Sequence, residues 1–179
     1  MMKKLLFTLA CAFVASMSYA QVISSFPYTE DFEGQPQGPT ACGPAFTTTG
    51  NTWQNGGAAV PAIATHQTNW TADSGGTDSG GTGPTANGGA DHTTGTSLGR
   101  YMYCETSCPG TGFPTREFDL VSPYMDFTTL TAPEIEFWYH AFGTTQGNLN
   151  VLVQVGALGS WANVAGPITD NFDAWQLGT

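Results

Sequence analysis

The chain has 179 residues, and fourteen carboxylates against four Lys and Arg leave a formal net charge of −10. A chain this acidic cannot neutralise a phosphate backbone or dock on anionic lipid through basic residues, so nucleic acid and polybasic membrane binding are excluded. Acidity of this kind suits solubility, repulsion of non-specific partners and bound cations.

The first twenty residues form their own unit. Met1-Met2-Lys3-Lys4 is a basic start, Leu5 to Ala15 is an apolar run, and Ser18-Tyr19-Ala20 places small residues where a signal peptidase reads. That layout is a secretory signal peptide, and the apolar run is too short to span a bilayer. Lipidation at Cys11 would require an aliphatic residue where Thr8 stands, so cleavage after Ala20 is the expectation. The mature chain then keeps Arg100 and Arg116 against fourteen carboxylates, a formal charge of −12. Its 159 residues suffice for one domain with a core.

Three cysteines survive cleavage: Cys42, Cys104 and Cys108. In an oxidising compartment Cys104 and Cys108, three residues apart, are the expected disulfide, contributing ~2 kcal/mol in the chain-entropy model. Cys42 is left with a partner outside the chain or as a buried thiol. No histidine or second cysteine pair follows Cys104 and Cys108 at the spacing zinc requires.

From about Thr71 to Gly99 the sequence is almost all Gly, Ser, Thr, Asp and Asn, with Asp-Ser-Gly-Gly-Thr starting at Asp73 and again at Asp78. This composition predicts a long surface loop. The five-residue step does not match the nine-residue calcium repeats of β-helices.

Alternation with period two predicts strands elsewhere. Tyr101 and Tyr103 alternate with Met102 and Cys104, and Phe118 and Leu120 with Glu117 and Asp119. Ile135, Phe137 and Tyr139 alternate with Glu134, Glu136, Trp138 and His140. Leu149, Val151, Val153 and Val155 share a face opposite Asn150 and Gln154. No segment has a helical period. The expected fold is all-β, two antiparallel sheets packed as a sandwich or jelly roll.

Three strings have a catalytic look. Gly95-Thr96-Ser97-Leu98-Gly99 matches a nucleophile elbow, which needs a strand before it and a helix after it; here a polar loop precedes and a strand follows. The Asp-Ser-Gly-Gly strings lack the preceding glycine and a suitably placed histidine base. Glu134 and Glu136 lie on one strand face at about 7 Å, near the spacing of a glycosidase pair, but a third carboxylate further along the strand is replaced by Trp138-Tyr139. Their plain reading is two solvent-facing acids with Ile135 and Phe137 packed inward. His66, His92 and His140 are far apart in sequence and read as hydrogen-bonding residues rather than ligands. No catalytic residue is assigned.

The order of landmarks carries a resemblance. Asp31-Phe32-Glu33, Asp91-His92-Thr93-Thr94-Gly95, Leu120-Val121-Ser122-Pro123 and Phe137-Trp138-Tyr139-His140-Ala141-Phe142-Gly143 follow one another as in the MAM family. From about residue 26 to 179 the chain resembles a MAM domain of secreted bacterial multidomain proteins. The resemblance implies a concanavalin-like jelly roll for adhesion, binding other protein domains or a cell-surface protein or glycan, without catalysis. The rival is a carbohydrate-active jelly roll, either a binding module or a glycosidase. The family also implies a calcium or sodium ion held by carboxylates of the first two strings. By position these are Glu33 and Asp91, with Asp31, Asp73 and the carbonyl of Thr93 as further candidates. Two departures accompany it. The family's closing strands, with an acidic string that helps hold the cation, are not found, so the domain is expected to lack its last strands within a longer chain. Cys42 sits where the family has half of an early disulfide whose upstream partner is missing.

Overall fold

The structure is a computed structural model that describes residues 22–37, 53–55, 70–77, 84, 89–105, 117–144, 146–156 and 159–179. The signal peptide, Cys42, His66, Cys108 and the second Asp-Ser-Gly-Gly string lie outside the described residues.

Among the described residues the fold is all-β, with no α-helix. The strands are β1 (Val22–Ile23), β2 (Gln54–Asn55), β3 (Thr71–Ser74), β4 (Arg100–Tyr103), β5 (Leu120–Val121), β6 (Tyr124–Met125), β7 (Phe137–Ala141), β8 (Leu149–Gln154), β9 (Trp161–Ile168) and β10 (Phe172–Gly178). They pair as β1–β6, β2–β5, β3–β4, β7–β10 and β8–β9. All pairs but β1–β6 are antiparallel. In the parallel pair, Ile23 lies beside Met125 and its carbonyl accepts the Asp126 N–H at 2.8 Å.

Alternation is clearest in β8, where Leu149, Val151 and Val153 are half-buried while Asn150 and Leu152 face solvent. The strand ends at Gln154, so Val155, placed by its spacing on the inner face, is 84% exposed. Ile135 likewise precedes β7 and is 43% exposed, so it does not pack inward as expected. In both cases alternation continues past the point where a neighbouring strand supplies backbone partners.

The polar segment 71–99 is not all loop. Its first four residues are β3, with Thr71 opposite Tyr103 and Ser74 opposite Arg100. Thr71 and Ala72 are buried despite their weak apolar content, in the ladder that β4 completes, and Tyr101 of β4 is only 6% exposed. Ile23, Ala72 and Tyr101 are the buried apolar residues of the described core.

Candidate functional site

The Asp31-Phe32-Glu33 turn is built from outside inward. Trp53 donates its indole N–H to the Tyr28 hydroxyl at 3.1 Å, which donates to Glu30 Oε2 at 2.9 Å. Glu30 Oε1 accepts the Phe32 N–H at 3.0 Å. Phe32 sits at φ 59°, a left-handed conformation costly for a bulky residue. Its ring meets Trp53 edge-on at 5.4 Å, which holds the turn in place. Asp31 Oδ1 accepts the Glu33 N–H at 3.1 Å, and Glu33 Oε1 accepts the Arg100 N–H at 2.8 Å at the start of β4.

A second turn places Asp91 against Gly99, the residue before Arg100. Its N–H donates to the Thr96 carbonyl and its carbonyl accepts from Gly95, both at 3.0 Å. Asp91 Oδ2 accepts the Thr94 N–H at 2.8 Å, and the residue is 4% exposed. Gly99 packs directly on it: an added Cβ would lie 2.9 Å from Asp91 Oδ2. Asp91 and Glu33 thus reach the consecutive residues Gly99 and Arg100.

The other two candidates stand differently. Asp31 is exposed and caps its own turn. Asp73 lies within β3, where Oδ1 accepts from the Ser74 N–H at 2.8 Å and Gln37 Nε2 at 3.2 Å. Arg100 Nη1 donates to Gln37 Oε1 at 2.9 Å and Ser74 Oγ at 3.3 Å, away from Asp91. Among the described residues no three His, Cys, Asp or Glu converge as a metal cluster. The donor chemistry of the pair nevertheless fits a hard cation. Each carboxylate spends one oxygen on a backbone N–H, and the buried Asp91 has no positive side chain beside it among the described residues. Two carboxylates alone do not complete six or more oxygen ligands, so carbonyls and water would supply the rest.

The Asp91 turn is clamped from the far end of the chain. Trp175 donates its indole N–H to the Ala90 carbonyl at 3.1 Å. His92 stacks on Trp138 at 3.7 Å between centroids with planes 17° apart, and meets Trp175 edge-on at 6.2 Å. Tyr101 and His140 approach Trp175 at 6.1 and 5.7 Å. The His140 side chain is 3% exposed, with Nε2 3.0 Å from Asp173 Oδ1. Two histidines 48 positions apart therefore meet one indole, a grouping that sequence spacing concealed. The only sequence signal for it is that both lie in the landmark strings.

The catalytic-looking strings stay unassembled. Glu134 and Glu136 are exposed, with no hydrogen-bond partner among the described residues. Ser97 is exposed in a turn that leads into β4 rather than into a helix. Cys104 is a thiol in the structure; burial, and secondarily the Glu105 carboxylate, push it up to about 12, far from a reactive thiolate.

These features define an all-β, turn-clamped module in which the Asp91–Gly95 string meets the Phe137–Gly143 string through His92 and Trp138. The chain belongs to the MAM family: the model of the MAM domain, meprin/A5/mu, matches residues 60–178. MAM domains are extracellular adhesion-type modules with a jelly-roll fold. No solved structure matches the chain.

Proposed function

We propose that this chain is an exported, non-catalytic recognition module that binds a protein partner. The observation that supports it is the use made of the tryptophans. Trp53, Trp70, Trp161 and Trp175 are all partly covered, and Trp53 and Trp175 donate hydrogen bonds inside the fold. A sugar-binding cleft would instead present several of them. In this reading export follows cleavage after Ala20, residues 26–179 belong to a domain whose last strands lie further along a longer chain, and Cys104, a free thiol in the structure, pairs with Cys108 on oxidation. Glu33 and Asp91 hold a calcium or sodium ion that braces the Asp91 turn.

The test is binding of the purified mature chain to intact cells and to cells treated with protease or with glycosidases. Binding lost after protease and retained after glycosidases is the expected result. Hydrolysis of peptides or β-glucans that disappears in Glu134→Gln or Glu136→Gln would overturn the non-catalytic reading. The glycan reading has one observation in its favour, the 47% exposure of Trp138, and loss of binding after glycosidases alone would establish it.

A further inference from the structure

One aromatic ring is both fixed and open. His92 covers one face of the Trp138 indole, yet Trp138 remains 47% exposed. Among the described residues no second ring stacks on Trp138, so its exposed surface includes the face and edges turned away from His92. Its indole N–H makes no hydrogen bond among the described residues, so the donor is free as well. Directly opposite Trp138 in the β7–β10 ladder stands Leu177, 48% exposed. Glu136, exposed, stands two residues before Trp138 in the segment that leads into β7.

We propose that this patch is a docking surface for a basic segment of a partner protein, with an Arg side chain stacked on the open face of Trp138. The proposal rests on the protein-recognition reading above and names its contact. Trp is the best π-acceptor for a guanidinium, which stacks flat on it. The aliphatic stem of the same Arg lies along Leu177, and Glu136 receives the charge. The partner's sign follows from complementarity: this chain carries a net charge of −10. Its own described arginine, Arg100, is engaged with Gln37 and Ser74 and does not cover the ring. Backing by His92 fixes the indole before binding, so little ordering opposes the contact. An apolar neighbour such as Leu177 suits a side-chain stem better than the hydroxyls of a sugar.

The experiment titrates the isotope-labelled mature chain with hexa-arginine, and in parallel with cello- and chito-oligosaccharides, following the Trp138 indole N–H by NMR. Hexa-arginine should shift that resonance saturably, and Trp138→Leu, which keeps apolar packing on His92, should weaken binding about tenfold. Glu136→Gln, which leaves the packing untouched, should weaken it about threefold and flatten its salt dependence. An unmoved resonance, equal affinity in both variants, or saturation by an oligosaccharide instead would overturn the proposal. If the protease-sensitive cell binding described above persists unchanged in Trp138→Leu, the platform fails while the recognition reading stands.

Discussion

Trp175 and Ala90 are 85 positions apart, and the indole N–H of one donates to the carbonyl of the other at 3.1 Å. Through this bond β10 holds the turn that carries Asp91, and with it the candidate cation site. The ring does a second task, since His92, His140 and Tyr101 pack around it.

Trp175→Phe keeps an aromatic body and removes the donor, so it should cost about 1 kcal/mol of unfolding free energy. Trp175→Ala removes the packing as well and should cost about 3 kcal/mol. Urea unfolding of both variants measures the difference. Equal losses would show that the hydrogen bond contributes nothing.

Gly99→Ala should be disruptive despite its small size. The new Cβ would approach Asp91 Oδ2 to 2.9 Å and Asp91 Cβ to 2.7 Å, and would collide with the Thr94 hydroxyl. Relief requires the Asp91 turn to move, at about 1–3 kcal/mol. The same change at Gly95, where nothing lies within 4 Å, meets no such collision and is strained only by its φ of 66°. Thermal melts of the two variants, each with and without calcium, separate displacement of Asp91 from backbone strain: only Gly99→Ala should also blunt the response to calcium.

Calcium should raise the unfolding midpoint of the wild-type chain, because a ligand bound only by the folded state stabilises it by mass action. At a hundred times its Kd the gain is about 2.7 kcal/mol. Glu33→Gln and Asp91→Asn should each abolish the increase, whereas Asp73→Asn, whose oxygen is engaged by Ser74 and Gln37, should not. Magnesium should do less, since it releases its waters reluctantly. A midpoint indifferent to calcium removes the ion from the account.

Two groups near the surface, Tyr139 and Asp126, contribute to the pH dependence of stability in opposite directions. The Tyr139 hydroxyl donates to Asp170 Oδ2 at 2.6 Å, and this hydrogen bond, then burial and the Asp170 charge, raise its pKa above the usual tyrosine range. The contribution is complete below the unfolded tyrosine value and is lost as pH rises through the higher folded one. Asp126 is shifted the other way, lowered by hydrogen bonds from the Thr128 hydroxyl and N–H. Its contribution is complete above the unfolded aspartate value and is lost as pH falls through the lower folded one. Tyr139→Phe should flatten only the alkaline limb of stability against pH, and Asp126→Asn only the acid limb. Chemical denaturation across pH reads both.

What the sequence by itself determined is the class and the inventory. Period-two alternation in Leu149–Val153 and Phe137–Tyr139 marks strands because side chains on an extended backbone point to opposite sides. The four strings in their order mark the family. Local pattern says nothing of where a partner strand begins or stops. It therefore extended the inner face to Ile135 and Val155, and it hid β3 in a polar segment that pairs with β4 and buries Thr71 and Ala72. The family strings named Glu33 and Asp91 first, with Asp31 and Asp73 as further candidates. Only the tertiary structure shows what each one touches: Glu33 reaches Arg100 and Asp91 lies against Gly99, while Asp31 caps its turn and Asp73 serves Ser74 and Gln37. The gathering of His92, Trp138, His140 and Trp175 was likewise decided in space. Ring contacts depend on which strands pair and in what register, and pairing between residues tens of positions apart leaves no local periodicity to read.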